Sequence, residues 1–373
     1  MLYQFEFRPY RRRFRSALKT HHGSWTHREG IIIRLMDNQG QVGFGEIAPL
    51  SWFGSETQEQ AIDFCKHFPK TVSAETMLSI PAERSACQFG FESAIRQFNQ
   101  NYSSPFLRGF GEDPCSKGVD HSIPPHLCCA LLPTGETALQ AWQTFWQAGR
   151  RTFKLKIGVA PIQLELDWLT QLAELLPQGA KLRLDANGGL TKPEAHQWLE
   201  QCDRLDVEFL EQPLPPNQLP IMLQLSNRYQ TPIALDESVA TLQQLKTTYF
   251  QGWRGIFIIK PAILGFPSQL KQFYQTHAFD IVFSSVFETA IGRDAILSLA
   301  AEISNHSALF GLVKSAQAIS QGKEDRTSNP DTLLPGSESG SKGAPRALGF
   351  GAQAWLESDG LDSPDFEKVW QSL

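Results

Sequence analysis

Five charged residues recur at nearly constant intervals in the middle of the chain. They are Lys156, Asp185, Glu211, Asp236 and Lys260, separated by 29, 26, 25 and 24 residues, and each ends a short apolar or β-branched run. A strand, a return helix and two loops take about 25 residues, which is the repeat of a (β/α)8 barrel. The carboxyl ends of barrel strands converge on one mouth. The spacing therefore predicts that these five side chains meet at one site.

A regular alternation of strand-like and helix-like segments surrounds these residues. It predicts an α/β fold with a barrel over residues 126–351. The predicted strands are LCCALLP, TFKLKIG, KLRLDANG, VEFLEQP, PIALDES, GIFIIKP, FDIVFSS and, at 347–351, ALGFG. Residues 315–346 are rich in Ser, Gly and Pro, so we expect a flexible insertion there.

The beginning of the chain follows a different pattern. The runs YQFEFRPY, GIIIRLMD and QVGFGEIAP predict an antiparallel sheet, with a polar loop at residues 16–29 between the first two strands. The segments ETQEQAIDFCKHF and PAERSACQFGFESAIRQF have helical apolar spacing. A sheet followed by helices predicts a separate α+β domain. We expect this capping domain to span residues 1–125 and to be joined by residues 352–373.

Charge and cysteine content narrow the class of protein. A net charge of −5 and a pI near 6.0 argue against a nucleic-acid partner. No run approaches the ~18 apolar residues of a membrane span, and the first residues lack the apolar core of a signal peptide. Six cysteines without a CxxC pattern suit a reduced chain. We therefore expect a cytoplasmic protein with a small-molecule substrate, and the sequence carries no prediction of oligomeric state.

The three acids of the series predict a metal site. Asp185, Glu211 and Asp236 offer hard oxygen ligands without histidine or cysteine beside them, which suits Mg²⁺ or Mn²⁺. Carboxylates on adjacent strand ends would repel one another unless a cation lay between them. The alternative is that each acid caps the helix that follows it. Three in succession favour the metal.

The lysines of the series predict acid–base chemistry. Lys154 and Lys156 point to the same face of one strand, because side chains alternate along a strand. Two neighbouring ammonium groups lower each other's proton affinity, which makes Lys156 a base near neutral pH. Lys260 lies across the predicted barrel from Lys156. A base and an amine on opposite sides of a metal suit proton abstraction beside a carboxylate, with an enediolate as the product of that step.

Several motifs resemble the enolase superfamily, and within it the muconate-lactonizing subgroup. They are KLK at 154–156, DAN at 185–187, EQP at 211–213, DES at 236–238 and IIKPAILG at 258–265, in the order and spacing of that subgroup. Three further motifs look most like the o-succinylbenzoate synthase family. They are SSVFETAIG at 284–292, GFGEIAPL at 43–50 and ALGFG followed by WL near residue 356.

This resemblance implies a fold, a cofactor and a reaction. The fold is a modified barrel with an α+β capping domain, and the cofactor is Mg²⁺ held by Asp185, Glu211 and Asp236. Lys156 and Lys260 would be the catalytic pair. Lys154, Asn187 and Glu237 would support the ligands. The implied reaction is a carbon–oxygen lyase step of menaquinone or phylloquinone synthesis, in which 2-succinyl-6-hydroxy-2,4-cyclohexadiene-1-carboxylate loses water to give 2-succinylbenzoate.

We predict substrate contacts from both domains. Trp25, Trp52 and Phe53 would shield the ring of the substrate from water. Ser284 and Ser285 would bind its succinyl carboxylate. Arg183 lies on the same side of its strand as Asp185, so it either reaches the substrate or forms an ion pair between strands.

Three alternatives stay open at this point. Within the subgroup, the two lysines would also serve an N-acylamino acid racemase or dipeptide epimerase, with one lysine on each face of the substrate. Cycloisomerisation is a second possibility. A barrel that binds a carboxylate without catalysis is a third, although buried lysines and acids are costly unless they are used.

Overall fold

The computed structural model describes residues 1–20, 23–99, 125–303, 346–351 and 355–373. Its strands are β1 Leu2–Thr20, β2 Gly23–Met36, β3 Val42–Ile47, β4 Thr71–Ser73, β5 Cys129–Leu131, β6 Thr152–Lys156, β7 Lys181–Asp185, β8 Phe209–Glu211, β9 Ile233–Leu235, β10 Ile256–Ile259 and β11 Ile281–Phe283. Its α-helices are α1 Gln58–His67, α2 Ala74–Leu78, α3 Ser85–Arg96, α4 Ala138–Gln147, α5 Ile162–Leu175, α6 Lys192–Leu205, α7 Leu219–Arg228, α8 Leu242–Phe250, α9 Pro261–Leu264, α10 Pro267–His277, α11 Ala290–Ile303 and α12 Phe366–Gln371.

The capping domain is built on a four-stranded sheet in the order β3-β2-β1-β4. Strands β1 and β2 pair antiparallel from Gln4 opposite Met36 to Thr20 opposite Gly23, with one irregularity between Arg13 and Leu18. The prediction of a loop at 16–29 was therefore wrong, because the described part of this segment extends both strands. Leu18 is buried opposite Trp25, and this apolar contact favours continuation of the ladder.

Helix α3 lies directly on this sheet. A β-carbon at Gly45 would stand 2.0 Å from the carbonyl oxygen of Gly90, so two glycines allow strand β3 and helix α3 to touch. The ring of Phe91 on α3 packs 5.0 Å from that of Phe5 on β1. Both phenylalanines are buried in the main core.

The second domain is a ring of parallel strands in the order β5 to β11. Residues of the predicted eighth strand close it through two parallel bridges, Leu348 to Cys128 and Gly349 to Ser284. The Leu348 amide donates to the carbonyl of Leu127 at 2.7 Å. The predicted α/β barrel is confirmed, with its eighth strand reduced to these bridges among the described residues.

The register of the ring brings the ends of adjacent strands level. Lys156 pairs with Asp185, and Asp185 pairs with Glu211. Glu211 pairs with Ala234, which places Asp236 two residues beyond the same level. The strand ends that carry the charged series therefore lie side by side.

The end of the chain returns to the capping domain. Helix α12 packs Phe366 and Trp370 against Phe44, with ring centroids 6.3 Å apart in both pairs. Arg12 forms ion pairs with Asp359 at 2.8 Å and Asp362 at 2.5 Å. The domain bounds at 125/126 and 351/352 stay a prediction, and residues 315–345 of the predicted insertion lie outside the described residues.

In the described part of the chain, no helix combines the length and the apolar character needed to cross a membrane. The five described cysteines are all free and buried. They are Cys65, Cys87, Cys128, Cys129 and Cys202.

One buried carboxylate joins the two domains. Glu46 on β3 is fully buried and accepts hydrogen bonds from the Tyr10 hydroxyl at 2.5 Å, the Thr289 amide at 2.9 Å and the Gly292 amide at 3.0 Å. The last two amides belong to the start of α11. A carboxylate at a helix N-terminus satisfies amides that have no partner within the helix.

We expect Glu46→Ala to destabilise the protein strongly. The change leaves the Tyr10 hydroxyl and two amides buried without partners, which costs on the order of 3 kcal/mol or more. The measurement is the urea unfolding midpoint, followed by circular dichroism. The control is Glu6→Ala, which removes an exposed partner of Arg34. Equal midpoints for the two variants would contradict the role of Glu46.

Candidate active site

A cavity lies at the carboxyl ends of the barrel strands, beneath the capping domain. Residues of both domains line it. From the capping domain come Leu18, Gly23, Ser24, Trp25, Leu50, Trp52 and Phe53; from the barrel come Cys129, Leu131, Lys154, Lys156, Asp185, Asn187, Asp236, Lys260, Ser284, Ser285, Val286, Phe287, Gly349 and Gly351. The floor is charged and the upper wall is mostly apolar.

Three buried carboxylates stand at the floor. Asp185 and Glu211 are each 1% exposed and Asp236 is 3% exposed. Burial, with repulsion from Asp185, raises the pKa of Glu211 to about 7. Burial likewise raises the pKa of Asp236 to about 6. Burial also opposes ionisation of Asp185, but the ammonium groups of Lys154 and Lys156 hold its pKa well below the ordinary value.

Lys154 lies between two of these carboxylates. Its Nζ is 2.8 Å from Oδ2 of Asp185 and 2.6 Å from Oε1 of Glu211. Burial acts to lower the pKa of Lys154, but the two carboxylates raise it well above the ordinary value. The prediction that the two neighbouring lysines lower each other's proton affinity was therefore wrong for Lys154, because its nearest charges are negative.

The donor chemistry of the three acids fits a hard divalent cation. All three offer carboxylate oxygens, and the raised pKa values of Glu211 and Asp236 show that positive charge nearby would stabilise their ionised forms. In this structure lysines supply that charge. Among the described residues, no three or more His, Cys, Asp or Glu side chains are grouped closely enough to hold a metal as they stand.

Lys156 and Lys260 face the cavity from opposite sides. Lys156 ends β6 and Lys260 follows β10, which is four strands further around the ring. Nζ of Lys156 donates to Oδ1 of Asn187 at 2.5 Å and lies 3.5 Å from Oδ2 of Asp185. Nζ of Lys260 contacts Asp236 and lies 4.1 Å from the centre of the Phe53 ring.

The turn after Lys156 is fixed by a buried acid. Glu165 on α5 accepts hydrogen bonds from the amides of Gly158 at 2.7 Å, Val159 at 3.0 Å and Ala160 at 3.0 Å. This carboxylate satisfies the turn and the start of α5 together. It thereby fixes the position at which β6 ends and Lys156 enters the cavity.

Asn187 and Glu237 connect the acids to the base. The Asn187 amide nitrogen donates to Oδ1 of Asp185 at 3.0 Å, and its side-chain Nδ2 donates to Oε1 of Glu237 at 3.1 Å. Asn187 adopts a positive φ of 46°, which asparagine tolerates better than most residues. Its side chain can therefore contact Lys156 and Glu237 at once.

Gln212 is a positioning residue that the sequence analysis did not single out. It is fully buried with a positive φ of 37°. Its Oε1 accepts from the amides of Asp236 at 2.9 Å and Ser238 at 3.1 Å, and its Nε2 donates to Oγ of Ser238 at 2.8 Å and to the Leu214 carbonyl at 2.8 Å. One carboxamide thus holds the turn that carries Asp236. Its place beside Glu211 in the EQP motif was the signal available.

The predicted substrate residues divide into two groups. Trp25, Trp52, Phe53, Ser284 and Ser285 line the cavity. Arg183 does not line it. It pairs with Glu208 at 2.7 Å and donates to the Ala347 carbonyl at 2.8 Å, so the ion-pair alternative describes it and the prediction of substrate contact is corrected.

Phe287 is a cavity residue with no signal in the sequence. Its φ is 65°, a conformation that is rare for a bulky side chain and that concentrates at functional sites. Its ring packs 5.3 Å from Trp25 and 5.0 Å from Phe14, so the barrel segment after β11 touches the capping domain.

Comparison with known families agrees with this geometry. The family description "Enolase C-terminal domain-like" matches residues 137–352, and "MenC, N-terminal domain" matches residues 6–98. The chain therefore belongs to the enolase superfamily, as its motifs predicted.

Individual matches are more specific than the family. The chain is 39% identical over 301 residues to o-succinylbenzoate synthase of Thermosynechococcus vestitus, a match that covers 79% of this chain and 88% of that one. The crystal structure of o-succinylbenzoate synthase from Thermosynechococcus elongatus, with magnesium in its active site, superposes with a TM-score of 0.77 at 34% identity and covers 99% of this chain and 100% of that one. L-Ala-D/L-Glu epimerase of Bacillus subtilis is 22% identical over 80% of this chain and 83% of its own.

We expect Gln212→Met to loosen the turn that carries Asp236. Methionine fills similar space but cannot accept from the two amides, whose hydrogen exchange should rise about tenfold or more. Exchange mass spectrometry of a peptide over residues 235–240 measures this. Gln243→Met on the exposed side of α8 is the control. Unchanged exchange in the Gln212 variant would contradict the positioning role.

Proposed function

We propose that this chain is a carbon–oxygen lyase that dehydrates 2-succinyl-6-hydroxy-2,4-cyclohexadiene-1-carboxylate to 2-succinylbenzoate. The observation that carries the proposal is the pair of opposed lysines in one cavity lined by Asp185 and Asp236, with Glu211 buried against Lys154. The identity to o-succinylbenzoate synthase across most of both chains supports the choice of substrate. The described cysteines of this chain are free and buried, which supports the further proposal that the protein acts in the cytoplasm.

We also propose that Asp185, Glu211 and Asp236 bind Mg²⁺, with Mn²⁺ as a substitute. A bound divalent cation supplies positive charge that offsets the carboxylate of the substrate. The related synthase crystallised with magnesium in its active site supports this assignment. Asn187, Glu237 and Lys154 would keep the three acids in place through the contacts described above.

In the proposed reaction Lys156 is the base. Its neutral amine removes the proton on the carbon that bears the ring carboxylate, and the electron pair passes into that carboxylate to give an enediolate. The ammonium group of Lys260, on the opposite side of the cavity, stabilises the added negative charge. Asn187 orients Nζ of Lys156 by accepting its hydrogen bond.

The second step expels water. The electron pair returns to the ring as the neighbouring carbon–oxygen bond breaks, and Lys156 delivers its proton to the departing hydroxyl. The C–H and C–O bonds that break account for the water lost, and the ring becomes aromatic. Lys156 is then neutral again and needs no external acid.

The upper wall suits the rest of the substrate. Trp25, Phe53 and Phe287 present aromatic surface that excludes water from the ring. Ser284 remains our candidate donor to the succinyl carboxylate. Ser285 is a weaker candidate than the sequence analysis expected, because its hydroxyl already contacts Glu288 at 2.5 Å and the Phe287 amide at 2.8 Å.

A substrate panel tests the reaction. Mixed with Mg²⁺ and the cyclohexadiene carboxylate, the protein should change the ultraviolet spectrum as the ring becomes aromatic. Dipeptides and N-succinyl amino acids in D₂O form the second arm, since the opposed lysines would also permit epimerisation. Exchange of their α-proton without dehydration would replace the proposal with epimerisation. No reaction in either arm would favour a binding barrel.

We expect Lys156→Ala to lower kcat by about 10²- to 10⁴-fold, because the general base is lost. Its Mg²⁺ affinity, measured by calorimetry, should stay close to that of the wild-type protein. Asp185→Asn, by contrast, should weaken Mg²⁺ binding directly, because it removes a carboxylate ligand. Lys271→Ala, which removes an exposed partner of Glu302, is the control for both. Retained turnover in Lys156→Ala would remove the base assignment.

A further inference from the structure

Arg28 on β2 is a buried arginine with an unusual set of partners. It is 2% exposed, and no carboxylate pairs with it within the described ranges of the chain. Its guanidinium donates instead to three backbone carbonyls: Nε to Val286 at 2.7 Å, and one terminal nitrogen to Pro49 at 3.0 Å and Glu29 at 2.5 Å. Its neighbour across the ladder, Arg12, is by contrast neutralised by two aspartates.

These carbonyls belong to segments that form the upper wall of the cavity. Pro49 directly precedes Leu50, and Trp52 and Phe53 follow in the same segment. Val286 itself lines the cavity in the segment after β11. Arg28 lies on the strand that carries Trp25. One side chain therefore fixes two pieces of the capping domain against one piece of the barrel.

An aromatic cluster joins the same three segments. The Trp25 ring packs at right angles to Trp52, at 5.0 Å, and to Phe287, at 5.3 Å. The guanidinium of Arg28 lies 5.8 Å from the Trp25 ring. Rings can slide over one another at small cost, whereas a guanidinium has fixed donor directions. The hydrogen bonds of Arg28 therefore fix how the three segments that carry these rings are placed relative to one another.

We propose that Arg28 is a positioning residue that holds the capping domain in its closed arrangement over the substrate. The inference rests on the proposed function, because the closed wall matters for a substrate whose succinyl chain and ring occupy the upper cavity. None of the hydrogen bonds of Arg28 described above goes to the acids or the lysines of the cavity floor. Its loss should therefore affect substrate binding and leave metal binding alone.

The test compares Arg28→Met and Arg28→Lys with the wild-type protein. Arg34→Met is the control, since Arg34 lies six residues further along the same strand and pairs with Glu6. In Arg28→Met we expect KM for the cyclohexadiene carboxylate to rise about tenfold or more, with Mg²⁺ affinity within about twofold of wild type. Arg28→Lys keeps the positive charge but loses the planar set of guanidinium donors, so its KM should lie between those of the wild-type protein and Arg28→Met. KM unchanged in both variants, or Mg²⁺ affinity that falls in parallel with KM, would overturn the proposal.

A second readout does not depend on the substrate. Hydrogen exchange in peptides over residues 47–56 and 284–288 should be faster in Arg28→Met, while β7 at 181–185 stays protected. The same comparison on Arg28→Lys keeps the test available if the methionine variant does not fold. If the wild-type protein fails to convert the substrate, the proposed function fails, and exchange alone decides the role of Arg28. Equal exchange in variant and wild type would then refute it.

Discussion

Five charged side chains line the floor of one cavity and a sixth, Glu211, contacts Lys154 from beside it; the rest of the site depends on how these six charges balance. The negative groups are Asp185, Glu211 and Asp236, and the positive groups are Lys154, Lys156 and Lys260. Each buried ion loses several kcal/mol of hydration, so a frame must hold opposite charges in contact. The parallel ladder provides that frame, because Lys156, Asp185 and Glu211 are level across three strands. Gln212 and Glu165 fix the turns that follow.

The capping domain closes this charged floor from above. Glu46 joins it to the start of α11, and Arg28 joins it to the segment after β11. Both contacts pair a buried charge with backbone groups of the other domain. Arg28 contacts Val286 and Glu46 contacts Thr289 and Gly292, on either side of Phe287, so the barrel segment that lines the cavity is held at two points. The upper wall is thus determined jointly by the two domains.

Much of the fold and the floor could be predicted from the sequence. The alternation of strand-like and helix-like segments predicted eight strands, of which seven form the described ring and the eighth is reduced to two bridges. The repeat length predicted that the five charged residues meet at one mouth, since the carboxyl ends of barrel strands converge. The predicted loop at 16–29 was wrong, because its polar residues hid the apolar contact of the buried Leu18 with Trp25 opposite it. The ion-pair partners of individual charged residues also could not be predicted from the periodicity of the sequence. Arg183 pairs with Glu208, and Lys154 lies between two acids, because of side-chain directions set by neighbouring strands. Phe287 depends on a backbone conformation that its residue type does not indicate.

The central claim is that the three acids form one cation site between the opposed lysines. The most direct measurement is the anomalous diffraction of crystals grown with Mn²⁺ in place of Mg²⁺. The account predicts one strong peak within about 2.2 Å of an oxygen of each of Asp185, Glu211 and Asp236. It predicts Lys156 and Lys260 on opposite sides of that peak. Its absence from this position, or a peak bound by other residues of the cavity, would contradict the account.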